Sequence, residues 1–358
     1  MSTLLLFAPN LRALVRAIFN GAGCRPPEDD CIARRLVESN LVGHDSHGVI
    51  RVSYYVDFLR KDMVRANQSI NVLLKTDVLA VVDGQFGFGQ SIGEQALGLV
   101  IDMARQTGFA LLALRNCAHL GRIGDWPAMA AEAGFCSLHF VNTSGFGLLV
   151  APFGGIDRRL SANPIAAGVP VAGAAPIILD ISTSAIAEGK IKVAYNKGVK
   201  VPPGSIIDAT GQPTDNPALF YANPPGAILP FGGHKGYGLG IIAEMFAGAL
   251  TGSGCSDPKA ARLINGMLSI LIDPLAIPND LGFMNEVKRF IEFVKSSRVA
   301  EPGGEILLPG ELEERTRQLR LREGIPLDAN TWRALCDAAR STGLTNDAIG
   351  ELSGVAAM

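Results

Sequence analysis

The chain has no surplus of charge of either sign: 32 lysines and arginines face 34 aspartates and glutamates, a formal net charge of −2. That balance excludes the basic surface that nucleic acid requires, and no run of Lys or Arg addresses an anionic membrane. No stretch is long and apolar enough to span a bilayer. The run Leu4 to Phe7 lacks the basic flank and longer apolar core of a signal peptide and reads as an opening strand. Six cysteines are scattered, Cys24, Cys31, Cys117, Cys136, Cys255 and Cys336. None forms a CxxC pair, so they read as reduced thiols in a cytoplasmic protein. His44 and His47 have no third ligand nearby to make a zinc site, and no metal is expected. Neither an internal repeat nor a P-loop spacing is present.

What is present is an ordinary globular balance, 48% hydrophobic and 18% charged over 358 residues, enough for two or three domains. The first seventy residues read as helical. Asn10 caps a helix through Phe19, with Gly21 beyond its end; Pro26 and Pro27 start a second through about Val42; a third runs from Ser46 through Phe58. Near residue 72 the texture changes. Strands are expected at Val78 to Val82, Phe109 to Leu114, Phe135 to Val141, Ile177 to Ile181 and Met267 to Ile272. Helices are expected at Glu94 to Gln106, Ala128 to Ala133, Ile241 to Leu250, Met284 to Ser296 and Ala329 to Ala339. Lys197 to Pro225 reads as a long ordered loop and residues beyond Gly343 as a loose tail. Strands alternating with helices indicate α/β or α+β.

The densest polar cluster is Gly43-His44-Asp45-Ser46-His47-Gly48-Val49-Ile50-Arg51. With Ser46 as the cap of the third helix, His47 and Arg51 fall one turn apart on one face. A histidine titrates near neutrality and donates a proton to a developing alkoxide, and an arginine holds a carboxylate through two hydrogen bonds. Together they fit a 2-oxo acid; in isolation a helix cap with surface polar residues accounts for them equally well. Asn116 to Gly124, containing His119, follows a strand and precedes a helix, where backbone amides suit an anion. Gly87-Phe88-Gly89 with Gly93 has the spacing GxGxxxG and reads as a tight turn, not a dinucleotide fingerprint. Leu160 to Pro164 and Asp180 to Ser184 are polar turns; the hydroxyls and amides of the latter suit ribose or phosphate, and ordinary turn chemistry explains both equally well. Phe231 to Gly238 opens a helix with glycines and one lysine, a pyrophosphate site by dipole, amides and point charge, or simply a glycine-rich helix entry.

Taken in order, GHDSHGVIR, NCAHLGRIG, SANP, LDISTSAIAEGK, PFGGHKGYGL and LLPGE resemble the type-2 malate/L-lactate dehydrogenase family, also called sulfolactate dehydrogenase-like, over roughly residues 5 to 342. The resemblance implies a non-Rossmann α/β (α+β) fold. A helical, substrate-side domain comes from both chain ends, residues 1–72 with about 270–345. A central cofactor domain with a largely antiparallel sheet spans 73–269, and 346–358 forms a tail. It implies a homodimer and a reaction between a small 2-oxo acid and its 2-hydroxy acid, with NAD or NADP and a slight preference for NAD. His47 is then the proton donor with Ser46 as its relay partner. Arg51, His119 and Asn163 face the substrate. His119, Leu120, Gly121, Arg122, Ile123, Asp180, Ile181, Ser182, Thr183, Ser184, His234, Lys235, Gly310 and Glu311 line the cofactor. Arg122 is a candidate for a 2′-phosphate.

Two departures bear on the substrate. Imino-acid reductases of the family carry an aspartate near the end of the DISTS segment, where Lys190 stands here; this favours an oxo acid, while Glu188, as a displaced carboxylate that completes the relay, keeps the imine reading open. Ala162 stands where threonine is usual. The alternatives are a reductase of pyrroline- or piperideine-2-carboxylate, and a cofactor-binding homologue without turnover.

Overall fold

The computed structural model describes residues 4–145, 147–278 and 280–358. In chain order the elements are β1 (Leu4–Leu6), α1 (Ala8–Gly21), α2 (Glu28–Leu41), α3 (Val52–Arg60), β2 (Asn71–Lys75), β3 (Leu79–Asp83), α4 (Gly89–Thr107), β4 (Phe109–Cys117), α5 (Asp125–Glu132), β5 (Cys136–Ser144), β6 (Ile165–Val169), β7 (Ile177–Ile181) and α6 (Glu188–Lys197). There follow β8 (Ile206–Ile207), β9 (Pro213–Thr214), α7 (Pro217–Phe220), β10 (Ala227–Ile228), α8 (His234–Glu244), β11 (Ile264–Ile272), α9 (Phe283–Lys295), α10 (Glu311–Glu323), β12 (Ile325–Leu327), α11 (Ala329–Ser341) and α12 (Asn346–Ser353).

A seven-stranded sheet in the order β2-β3-β4-β11-β5-β6-β7 forms the centre. The β3–β4 pair is parallel and the other neighbours are antiparallel. Side chains alternate across it as a pleated strand requires. Leu112 and Leu114 join Ile92, Leu97 and Val100 of α4 and Trp126 of α5 in one core. Ala113, Phe140 and Leu268 face the other way, against Ala243 of α8 and Ala247 of the π-helical turn that continues it. The sheet is therefore covered on both faces, and the loops at the end of β4 and after β7 are held between the layers.

The third core joins the two chain ends. Leu11, Leu14, Val15, Ile18 and Phe19 of α1 recur at helical spacing and pack with residues of α2 and α3 and with Trp332, Leu335 and Ile349. β1 pairs antiparallel with β12. A small module, the sheet β10-β8-β9 with α6 and α7, has its own core around Ile191, Ile206 and Phe220.

Several expectations need correction. α1 starts at Ala8 with Pro9 in its first turn, where a preset φ suits a helix, so Asn10 is not the cap and Gly21 lies inside the helix. The third helix does not begin at Ser46: Asp45–His47 and Val49–Arg51 are two 3₁₀ turns, and α3 starts only at Val52. Lys197 to Pro225 contains β8, β9 and α7 rather than loop alone. The segment beyond Gly343 is no loose tail: Thr345 caps α12 by accepting from the Ala348 amide, and Ile349 is fully buried.

Candidate active site

The loop carrying the first polar cluster is moored by Asn40 at the end of α2. The Asn40 Oδ1 atom accepts from the Val49 amide at 2.8 Å, and its Nδ2 donates to Asp45 at 2.7 Å. Gly48 is required here, because a Cβ would lie 2.1 Å from Asn40 Oδ1. Arg320 of α10 clamps Asp45 with both terminal nitrogens, at 2.6 and 3.1 Å. The C-terminal end of the chain thus fixes the loop that presents Ser46 and His47.

Because the backbone there is 3₁₀, His47 and Arg51 are not stacked along one α-helical face. The Arg51 Nε instead donates to the Ser46 carbonyl at 2.7 Å, which bends the guanidinium back over its own loop. Ser46 Oγ lies 3.0 Å from His47 Nδ1. His44 turns away to Glu313, 3.4 Å from its carboxylate.

His119, in the loop after β4, comes alongside. Its ring stacks with that of His47 at 5.7 Å between centroids and 18° between planes. Its Nδ1 lies 2.7 Å from Tyr55 Oη, and Gln90 donates to the same hydroxyl at 3.1 Å. The α4 N-terminus can reach the loop because residue 89 is glycine; a Cβ there would sit 2.1 Å from the His119 carbonyl oxygen. Each histidine thus has Nδ1 engaged, while neither Nε2 hydrogen-bonds to any described residue. Burial, then Arg51, lowers His47 to about 3, and the same two causes hold His119 well below its ordinary value. Both rings are neutral at pH 7.

The remaining expected residues divide into groups. Leu120 is held through its amide by Asn265 Oδ1 at 2.8 Å, and Gly121 and Ile123 continue the loop. Arg122 is buried and donates to Asp125 at 2.7 Å; its Nε is buried without a partner. Asp180 accepts from the Gly124 amide at 2.7 Å, joining the end of β7 to this loop. Beyond Ile181, Ser182 and Ser184 bond to each other at 2.5 Å. Thr183 bonds the Ala162 carbonyl at 2.8 Å, and its own carbonyl accepts from Phe231 N at 3.1 Å. His234 and Lys235 stand exposed at the start of α8. The turn is less open to a phosphate than a glycine-rich entry suggests, because the amides of Lys235, Gly236 and Tyr237 bond back to Gly232, Phe231 and Gly233. The Lys235 ammonium has no ion-pair partner among the described residues. Gly310 packs on Ile178 of β7, and the Glu311 carboxylate is taken up by Lys295 and the Leu308 amide.

Asn163 turns its amide nitrogen toward α8. It is fully buried with a left-handed φ of 33°, and its amide donates to Glu244 at 2.6 Å and to the Gly240 carbonyl at 3.2 Å. Both its bonds hold α8 in place. Glu188, the displaced carboxylate, accepts from Tyr221 Oη at 2.6 Å. The start of α6 does reach the site, since a Cβ on Gly189 would lie 3.3 Å from Ser46 Cβ. Tyr55, Gln90, Asn40 and Glu244 escaped the sequence reading. Tyr55 alone had a local signal, one turn after Arg51.

Residues 7–336 match the family model described as malate/L-lactate dehydrogenase. The chain belongs to that family. It is 39% identical over 348 residues to hydroxycarboxylate dehydrogenase B of Escherichia coli, covering 96% of this chain and 95% of that one. Sulfolactate dehydrogenase of Methanocaldococcus jannaschii has a similar structure, with a TM-score of 0.86 at 32% identity over 97% of this chain and 99% of that one. So does delta1-piperideine-2-carboxylate reductase of Pseudomonas syringae pv. tomato, at 0.82 and 31% over 94% and 100%. This dehydrogenase is accordingly a 2-hydroxy-acid/2-oxo-acid oxidoreductase working with a nicotinamide cofactor. Its residues fit such a group: an unpaired lysine at a helix N-terminus, where dipole and charge act together, and a buried, unpartnered Arg122 Nε close to the paired histidines. None of its described helices is long and apolar enough to cross a membrane.

Proposed function

We propose that the enzyme interconverts a small 2-oxo acid and its 2-hydroxy acid, of malate or lactate type, with His47 exchanging the proton and Arg51 holding the carboxylate. The observation that carries this is the pair of neutral, stacked histidines whose Nε2 atoms have no hydrogen-bond partner among the described residues, beside an arginine that among those residues is tied through Nε alone. The nicotinamide, when bound, supplies or accepts the hydride. A bound carboxylate offsets the positive charge of Arg51, the second cause of the low His47 value, so substrate raises the proton affinity of the imidazole when a proton must be held. Ser46 orients the ring through Nδ1. His119 donates a hydrogen bond to the substrate oxygen.

Asp180 to Ser184, Lys235 and the loop from His119 to Ile123 line the cofactor in this reading, with Gly310 and Glu311 on its outer side. NAD is favoured over NADP because Arg122, the candidate for a 2′-phosphate, is buried and already pairs one terminal nitrogen with Asp125. A homodimer is supported by uncovered apolar surface: α9 has no buried side chain, with Phe290 and Phe293 exposed, and Met245 and Leu250 stand out beside α8. Its mass in solution tests this. The unpaired cysteines favour the cytoplasm.

A cyclic imine is the second reading, motivated by the likeness to the piperideine-carboxylate reductase. Against it, Glu188 is occupied by Tyr221. NADH and NADPH consumption with pyruvate, oxaloacetate, longer 2-oxo acids and the two cyclic imino acids decides. Turnover of an open-chain acid with inert imines supports the first reading; a preference for an imine overturns it.

A further inference from the structure

We propose that Gln90 and Tyr55 set the tautomer of His119, holding its proton on Nε2 so that the ring meets the substrate as a hydrogen-bond donor; the meeting with substrate rests on the function proposed above. Three elements converge to do this: α3 brings Tyr55, α4 brings Gln90, and the loop after β4 brings His119. Tyr55 and Gln90 are 4% and 1% exposed, so water does not compete for their hydrogen bonds.

A phenol has one hydrogen and two lone pairs. Gln90 Nε2 donates into one lone pair of Tyr55 Oη at 3.1 Å. The phenolic hydrogen is then directed to the nearest acceptor, His119 Nδ1, at 2.7 Å. A neutral imidazole whose Nδ1 accepts carries its hydrogen on Nε2. Burial raises Tyr55 to about 12, which keeps that phenolic hydrogen in place.

The reverse chain would run from His119 Nδ1–H to Tyr55 and on to Gln90 Oε1. It needs the amide turned over, which leaves both hydrogens of the buried NH₂ without an acceptor at Tyr55. As placed, the amide leaves Oε1 unpartnered, and a buried carbonyl without a partner is the commoner exception. Gly121 contributes, since a Cβ there would fall 2.9 Å from Gln90 Nε2 and push the amide off the hydroxyl. Tyr55 and Gln90 are thus positioning residues acting through His119.

Histidine ¹⁵N correlation spectra of the full-length protein without substrate test this. The chain has five histidines, and loss of one spin system in His119→Asn assigns the ring. The wild-type ring is expected to be protonated on Nε2 and bare on Nδ1. In Tyr55→Phe the two nitrogens should shift toward an average of both tautomers, with a smaller shift in Gln90→Leu. The kcat of Tyr55→Phe should fall about tenfold, as for one lost hydrogen bond in the transition state, with cofactor affinity unchanged. A wild-type ring protonated on Nδ1, or Tyr55→Phe retaining the wild-type shifts, overturns the proposal. A failure of the proposed reaction would show differently, as the expected ring shifts without turnover of any acid in the panel.

Discussion

The imidazoles of His47 and His119 lie parallel within 18° and 5.7 Å apart, each anchored through Nδ1 to a different hydroxyl, Ser46 and Tyr55. Two like rings this close cannot easily both be charged. In the proposed reaction the labour is therefore divided: one ring would move the proton and the other would hold a fixed hydrogen bond. Arg51 lowers the proton affinity of both.

Replacing the first ring tests its share. His47→Gln should reduce kcat by about a hundred- to ten-thousand-fold, the usual contribution of a positioned acid or base, with little change in cofactor affinity. Turnover at the wild-type level would remove His47 from the proton path.

Arg51 is tied to the Ser46 carbonyl by Nε, which leaves its outer nitrogens for a carboxylate. In Arg51→Lys both the tie and the two-pronged contact are lost, and KM for carboxylate substrates should rise by roughly ten- to a hundredfold. An unchanged KM would place the carboxylate elsewhere.

Stability should fall on mild acidification. His47 and His139 are lowered to about 3 in the folded chain, chiefly by burial, and His119 is lowered too. Between pH about 6.5 and 5 the unfolded chain takes up protons that the folded one refuses, at about 1.4 kcal/mol per pH unit for each full proton of difference. Their stabilisation is complete above pH about 6.5 and drains away below it. Glu28 and Asp125, raised by burial, act in the opposite sense from the ordinary carboxylate range upward. Thermal melts from pH 7.5 to 5 should show a falling Tm; a flat or rising Tm would contradict the assignment.

The last helix bears on the fold itself. Ile349 of α12 is fully buried in the core that joins the chain ends. Ile349→Ala should destabilise by about 2–5 kcal/mol, the range for a large-to-small change in a packed core. Denaturant unfolding reads this directly, and a loss below about 0.5 kcal/mol would mean the helix is not docked in solution.

Where the apolar pattern is strong, as in the helical stripe of α1 and the apolar run of β7, the elements can be read from the chain. α10 cannot, because it is polar on every side and shows no apolar stripe. α12 leaves only a weak pattern in its eight residues, although Thr345 is an ordinary cap. The sequence places the start of the third helix at Ser46, which has a cap residue's chemistry, whereas Asn40 and Arg320 fix the loop in 3₁₀ turns instead.

The sequence by itself determined the elements with a strong apolar pattern, the chemical character of each polar segment and, through six segments in order, the family. Those are local properties, set by side-chain type and short-range spacing. Only the tertiary structure decided that Tyr55 meets His119 across 64 residues of chain, that the Asn163 amide nitrogen and one Glu188 oxygen bond Glu244 and Tyr221, and that Arg320 from α10 steadies the loop carrying Ser46 and His47. Such contacts follow from how layers pack. No local pattern encodes them, because the same residue type serves a substrate or a neighbour depending on what the fold places within about 3 Å of it.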